Sequence, residues 1–212
     1  LSARFSSPPR RDREKAMKKI GITGVMGAGK SSVIEMLKNA GYHVLDCDRI
    51  NDELLMKGHA GYQALIAEFK DTICDAQGDV DRMKMSVLMF QEAGNKEKIE
   101  AILHPLIQAR LQQELEQLQQ ETLVFVEVPL LYEVGWESCF DEVWVVAADE
   151  ELLLKRLQQH RHVAKAEAKA RLRKQLPQAV KVEKADRVLW NNGDKEELQS
   201  NIYAILKEAE GF

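Results

Sequence analysis

The sequence predicts an α/β fold, a five-stranded parallel sheet flanked by helices, and three observations predict it. Five short apolar runs are separated by segments of helical periodicity, the pattern of strand–helix–strand units. One run, Glu142-Val143-Trp144-Val145-Val146-Ala147, is apolar from its second residue onward, as a strand covered on both faces should be. A glycine-rich stretch stands between the first run and the first helical pattern, where open parallel sheets bind their ligands.

The first strand is Lys19-Ile20-Gly21-Ile22-Thr23. It runs into Gly24-Val25-Met26-Gly27-Ala28-Gly29-Lys30-Ser31, which fits G-x-x-x-x-G-K-[ST], and then into Ser32-Val33-Ile34-Glu35-Met36-Leu37, apolar at helical spacing. Strand, loop and helix are the context this phosphate-binding motif requires. The small residues Gly24, Gly27, Ala28 and Gly29 let backbone N–H groups curl around a phosphate, with those of Lys30, Ser31 and Ser32 at the positive end of the helix. Lys30 can reach the β- and γ-phosphates, and the Ser31 hydroxyl can ligate Mg²⁺. The prediction is a P-loop NTPase-type sheet that binds a nucleoside triphosphate. A guanine reader N-K-x-D is missing, because Asn95-Lys96 is followed by Glu97-Lys98, so ATP is the expected nucleotide.

The second strand, His43-Val44-Leu45-Asp46, ends in Asp46-Cys47-Asp48. There one carboxylate can accept the proton of an attacking hydroxyl and the other can hold Mg²⁺-bound water. The alternative for either is to cap the next helix, a role Asp favours. The stretch 48–121 then reads as entirely helical, with breaks near Gly58, Ala76-Gln77-Gly78-Asp79, Gly94-Asn95 and His104-Pro105. That is too large for a plain crossover, and it is expected to be a helical substrate-binding insertion, about 49–121. The third strand, Thr122 through Val128, stops at Pro129. Glu127 near its end is a candidate acidic residue of the metal shell, or simply a solvated strand end. Pro129-Leu130-Leu131-Tyr132-Glu133 should form the wall beside the transferred phosphate.

After the fourth strand comes a basic helical segment with Lys155, Arg156, Arg161, Lys165, Lys169, Arg171, Arg173 and Lys174. A charge run of this kind is usually a solvated face. Beside a triphosphate it can also be a lid, about 156–182, whose cations neutralise charge on the transferred group. Only one or two can reach the phosphates, and Arg156 and Arg171 are the candidates. The fifth strand, Arg187-Val188-Leu189-Trp190, ends in the turn signal Asn191-Asn192-Gly193.

Composition bounds the function. The 212 residues suit one domain, expected at 17–212, and 45% hydrophobic with 30% charged residues is ordinary for a soluble protein. A net charge of −4 argues against a nucleic-acid partner, and no apolar run approaches the ~20 residues of a membrane span. Three scattered cysteines fit a reducing cytoplasm and give no metal-binding spacing. A monomer or small homo-oligomer is expected. Residues 1–16, rich in Ser, Pro and Arg, read as a disordered extension or a tag ahead of Met17.

Five stretches in order carry a resemblance: Ile22-Thr23-Gly24 through Ser32; Val44-Leu45-Asp46-Cys47-Asp48; Leu103-His104-Pro105-Leu106-Ile107; Val128-Pro129-Leu130-Leu131-Tyr132-Glu133; and Ala185-Asp186-Arg187-Val188 running into Asn191-Asn192-Gly193. Over about 18–206 the chain resembles the dephospho-coenzyme A kinases. The resemblance implies a sheet with a helical coenzyme A subdomain and a lid, and ATP-dependent phosphorylation of the ribose 3′-hydroxyl of dephospho-coenzyme A. It implies Asp48 as the base, Lys30 and the loop amides on ATP, Arg171 as a lid arginine, and Asn192-Gly193 near adenine. His104 would face the substrate, or else cap a helix before Pro105; Asp46, Pro129 and Leu130 would be its neighbours at the substrate. The chain departs from the family's pattern at Val25-Met26 and Ser32 in the loop, at Asp52, at His160 to Ala164 in the lid, and at Trp190. Another phosphate-loop kinase, or a non-catalytic nucleotide-binding module, is the alternative reading.

Overall fold

Strands β1 (Lys18–Thr23), β2 (His43–Asp46), β3 (Leu123–Glu127), β4 (Glu142–Ala147) and β5 (Arg187–Trp190) form one parallel sheet in the order β2-β3-β1-β4-β5. The computed structural model describes residues 17–91, 94–161 and 164–210. The extension expected at 1–16, and two residues of the expected lid, His162 and Val163, lie outside them.

Alternation along the central strands divides the core into two layers. Ile20, Ile22, Phe125, Trp144 and Val146 pack on one face, with α1 (Lys30–Asn39) and, from the chain's end, α9 (Lys195–Glu210). Phe125 and Trp144 are fully buried and meet edge to face at 5.2 Å. Val124, Val126, Val143 and Val145 face the other way, toward the helical insertion. Gly21 lies between Ile20 and Ile22 on β1 and faces the second layer. A Cβ there would come within 2.8 Å of Leu131 and 2.9 Å of Phe140, so only glycine lets those side chains close on the strand.

The insertion comprises α2 (Cys47–Leu54), α3 (Ala60–Phe69), a short 3₁₀ turn (Lys70–Ile73), α4 (Arg82–Gln91) and α5 (Asn95–Glu116). Two details differ from the sequence reading. First, it is not wholly helical: Cys74 and Val80 form an antiparallel bridge, around a turn in which Asp75 Oδ1 accepts the N–H groups of Gln77 and Asp79, each at 2.9 Å. Second, there is no break at His104-Pro105. Helix α5 runs 22 residues straight through Pro105. A proline inside a helix costs ~3 kcal/mol through its missing N–H and ring clash. Against that stand Ile99, Leu103, Ile107, Leu111 and Leu115, a stripe at four-residue spacing that is buried on both sides of the proline. Each such side chain contributes roughly 1.5–3 kcal/mol, so burial wins. Pro105 and Ala101, whose carbonyl loses its partner, both lie on the exposed face, where water can take the bond.

Helices α6 (Glu150–Arg161), α7 (Lys165–Arg173) and α8 (Gln178–Lys184) follow β4. The chain leaving α7 is fastened to the core by a half-buried ion pair. Lys181 on α8 has no exposed surface, and its Nζ donates to both carboxylate oxygens of Glu133, at 2.8 and 2.9 Å. Leu176 N–H donates to the same carboxylate at 2.9 Å. Burial alone would raise the Glu133 pKa, but these donors hold it below the ordinary glutamate value. The pair's contribution to stability is therefore complete above that ordinary value and is lost as pH falls through the lowered one. Lys181→Ala removes a buried cation but leaves a Glu133 carboxylate that water reaches in part, and should cost about 1–3 kcal/mol. Denaturant unfolding at neutral pH measures this, and a loss under about 1 kcal/mol would show that water or a neighbour replaces the ammonium.

Candidate active site

In-register pairing brings the ends of three strands together. Asp46 stands opposite Glu127, and Glu127 stands opposite Ile22, one residue before the end of β1. The phosphate loop leaves β1 at that edge and closes on α1. Gly29 begins the helix in the left-handed region, φ 96°, and a Cβ on it would fall 2.0 Å from the Asn191 side-chain amide. Only glycine meets both demands. The first turn of α1 carries no acidic residue, so its N–H groups present positive charge to the loop.

The loop's own polar groups are held from outside. Asn191 Nδ2, buried at the end of β5, donates to the Ala28 carbonyl at 2.8 Å. Arg156 on α6 donates to the Asn191 carbonyl at 2.9 Å and reaches the Ala28 carbonyl at 3.5 Å. Gln175 Oε1 accepts the Met26 N–H at 2.9 Å. Lys30 Nζ donates to the Gly24 carbonyl at 2.9 Å, and Ala28 N–H to the Val25 carbonyl at 3.2 Å. Ala28 is thus a structural turn residue here, with its N–H and C=O both engaged inside the protein.

Over the loop lies a cavity of about 650 Å³, bordered by Met26, Gly27, Gly29, Lys30, Ser31, Ser32, Asp48, Glu127, Pro129, Arg156, Asn191 and Gly193. A second cavity, about 450 Å³, lies between the sheet edge and the insertion. Its walls include Met85, Met89, Leu103, Ile107, Leu130 and Trp136, with His104 packed edge-on against Trp136 at 5.4 Å. His104 is in mid-helix and caps nothing. Asp48 and Pro129 border both cavities.

The two aspartates part ways. Asp46 is the cap of α2: its Oδ1 accepts Asp48 N–H at 2.8 Å and Arg49 N–H at 3.1 Å. Asp48 lies in the first turn, facing the cavities. Desolvation by the cleft walls raises its pKa, the charges of Asp46 and Asp52 raise it further, and Lys30 and Arg82 work against them. Glu127 is raised as well, by burial first, with Lys30 opposing and Asp46 and Asp48 adding. Cys47, buried between the aspartates, is pushed to about 12 by burial and the surrounding carboxylates, so its thiol stays neutral. Asp52, an unexpected acid at this rim, is ion-paired with Arg82 of α4.

Other candidates sit apart from the cleft. Arg171 pairs with Glu167 one turn earlier on α7, at 2.6 Å, and does not border the phosphate cavity. The side chains of Arg161 and Lys165 lie outside the described set. Asn192 turns away to Asp149, accepting its N–H at 2.8 Å and donating to its carboxylate at 3.1 Å. The resemblance places Asn192 near adenine; the side chain that reaches the phosphate loop is that of its neighbour Asn191. The pair Asn191-Asn192 signals a turn, but which side chain points inward follows from the pairing of β5 with β4. Gln175 was missed altogether, because a glutamine after a basic helix carries no local signal.

The sequence profile of the dephospho-CoA kinases matches residues 18–197. The chain is 35% identical to a dephospho-CoA kinase of Geobacillus kaustophilus, covering 89% of this chain and 95% of that protein. It is 36% identical to one of Streptococcus pyogenes, with 88% and 95% covered. A Thermus thermophilus crystal structure matches at TM-score 0.80 and 34% identity, over 92% of this chain and 98% of that one. A dephospho-CoA kinase from Campylobacter jejuni matches at TM-score 0.68 and 25% identity, over 91% and 96%.

Asn191→Ala should destabilise by about 1–3 kcal/mol, since it leaves the buried Ala28 carbonyl without its donor, and should weaken nucleotide binding as the loop loosens. Asn192→Ala, whose bonds are exposed, should change stability by no more than about 0.5 kcal/mol. Thermal unfolding with ATP titration compares them, and equal effects would contradict the inward role of Asn191.

Proposed function

The chain belongs to the dephospho-coenzyme A kinase family, and from that premise we propose how its own residues divide the reaction. The activity is ATP-dependent phosphorylation of dephospho-coenzyme A, within coenzyme A biosynthesis. The observation that carries the assignment of roles is the place of Asp48, on the border between the phosphate cavity and the largely apolar one. ATP occupies the first with its phosphates on the amides of Gly27, Gly29, Lys30 and Ser31 and on the Lys30 ammonium, with Ala28 as the turn between them and Ser32 at the cavity wall. Dephospho-coenzyme A enters the second, its ribose 3′-hydroxyl toward Asp48 and its pantetheine arm along the Met, Leu and Trp walls beside His104 and Leu130.

Asp48 accepts the hydroxyl proton as the oxygen attacks the terminal phosphorus. Its raised pKa suits the role, since a more basic carboxylate takes a proton more readily. Asp46 acts one step back, fixing the turn that carries Asp48 and adding negative charge beside it. Pro129 and Leu130 close the wall between donor and acceptor.

Magnesium is the expected metal. The Ser31 hydroxyl and Glu127 carboxylate border the same cavity, and such an oxygen set suits an ion that keeps several waters and binds phosphates. No group of three acids, cysteines or histidines among the described residues could hold a metal by itself, so the nucleotide's oxygens would complete the shell. Held there by Ser31 and Glu127, Mg²⁺ would supply charge that neutralises the phosphates. Arg156 braces the loop, and Gly193 lies at the nucleotide end of the cavity with Asn192 behind it. Arg171 reaches the phosphates only if α7 swings inward. The arginine would then release Glu167, its exposed partner on the same helix, a pair worth less than about 1 kcal/mol. No helix among the described residues is long and apolar enough to cross a membrane, and the three free cysteines suit a reducing cytoplasm.

Asp48→Asn should keep ATP affinity and lower kcat by about 10²–10⁴-fold, the range for a general base. A coupled assay of ADP release with dephospho-coenzyme A measures it; a loss confined to Mg·ATP binding would reassign Asp48 to the metal. Asp46→Asn keeps a good cap but removes a charge that raises the Asp48 pKa. The acid limb of its pH–kcat profile should therefore move to lower pH. A limb that stays in place would mean that it reports some group other than Asp48.

A further inference from the structure

Gln175 follows α7 in the connection to α8, and its side chain touches the phosphate loop at a residue that binds no phosphate in the reading above. Its Oε1 accepts the N–H of Met26, 149 positions away in the chain, at 2.9 Å. Gln175 also borders the phosphate cavity, the acceptor cavity and a third cavity of about 520 Å³ behind the loop, between Val25 and α7. Among the described residues it is common to all three. Its Nε2 has no acceptor among those residues, so two N–H donors are left for whatever fills the cavities.

The backbone on either side of this amide is anchored. Gln175 N–H donates to the Leu172 carbonyl at 3.1 Å, continuing α7 by a turn. Leu176 N–H is held by Glu133, which is itself locked by buried Lys181. Gln178 then makes a two-way clasp with Ala148, accepting its N–H at 3.1 Å and donating to its carbonyl at 2.8 Å. The amide therefore has a defined position at the point where donor, acceptor and lid helix meet. Met26 needs such a partner. It lies in the leading half of the loop, ahead of the Gly29 turn and the helix N-terminus that fix the trailing half.

We propose that Gln175 is a positioning residue for phosphoryl transfer, its side-chain amide setting the leading half of the phosphate loop against the acceptor and linking that loop to α7. The proposal rests on the kinase reading above. The trailing amides and Lys30 hold ATP without it, so its removal acts on alignment more than on nucleotide affinity. A misplacement of about 1 Å can cost about 10²-fold in rate. The link also gives α7 a way to respond to the terminal phosphate, because a phosphate seated on the next amide, that of Gly27, bears on the Met26 peptide that Gln175 holds.

The test uses the full chain with Gln175→Met, which keeps length but removes polarity. Expected is a fall in kcat of about 10²-fold, with KM for ATP within about twofold of wild type and a thermal midpoint lowered by no more than a few degrees, too little to account for the loss. Hydrogen exchange of α7 is measured with ADP and with a non-hydrolysable ATP analogue. Wild type should show different protection with the two, and Gln175→Met the same protection with both. Unchanged kcat, a kcat loss that only tracks a lowered midpoint, or a wild type blind to the terminal phosphate would overturn the proposal. If Gln175→Met does not fold, Gln175→Glu carries the test: it keeps an acceptor for Met26 but sets a negative charge by the triphosphate. Its KM for ATP should rise about tenfold, and an unchanged KM would place Gln175 away from the phosphates. The exchange measurement needs nucleotide alone. A wild type that binds ATP but does not phosphorylate dephospho-coenzyme A would count against the kinase reading and leave this comparison intact.

Discussion

A phosphate-binding loop must keep its N–H groups turned inward for the ligand, and so it cannot use them to hold itself together. Its carbonyls, and the N–H groups that do not reach the phosphate, need partners from elsewhere in the chain. Here Asn191 and Arg156 serve the Ala28 carbonyl, Lys30 the Gly24 carbonyl, and Gln175 the Met26 N–H. Apart from Lys30, which opens α1, these partners come from the end of β5, from α6 and from the segment after α7. The outer elements of the fold are thus required by a local problem in the first thirty or so residues of the described chain. A polar group buried without a partner costs about 1–3 kcal/mol, enough to make each strut matter in a protein of ordinary stability.

The same economy governs charge. Asp46, Asp48 and Glu127 crowd one end of the sheet; Asp46 raises the cost of ionising Asp48, and both aspartates raise that of Glu127. Lys30 offsets part of that cost from the loop, and Arg82, held by Asp52, offsets part of it from the insertion. Spending Asp46 on the helix cap gives one of the three carboxylates a fixed set of hydrogen bonds, and leaves Asp48 as the one facing both cavities. The Asp52 departure, which on sequence alone reverses a charge at the rim, is balanced by its partner from α4.

Burial explains the remaining disagreement with local rules. A proline in mid-helix and a lysine with no exposed surface are both unfavourable in isolation. The first is tolerated because five apolar side chains of α5 are buried around it. The second is tolerated because Glu133 supplies a near-ideal counter-ion and anchors the Leu176 backbone as well. Neither compensation is visible within a few residues of the position concerned.

The sequence by itself determined the five strands, the phosphate loop with its flanking helix, the acidic ends of β2 and β3, and the family. All of these depend on neighbours close in the chain: alternation of apolar residues, glycines where the backbone must turn, Asp before a helix. Only the tertiary structure decided which aspartate caps and which faces the cavities, that Asn191 and not Asn192 turns inward, that α5 ignores Pro105, and that Gln175 meets Met26. Each of those is a choice between locally equivalent options. It is settled by strand register and by contacts between residues tens or hundreds of positions apart, and local periodicity carries no information about such contacts.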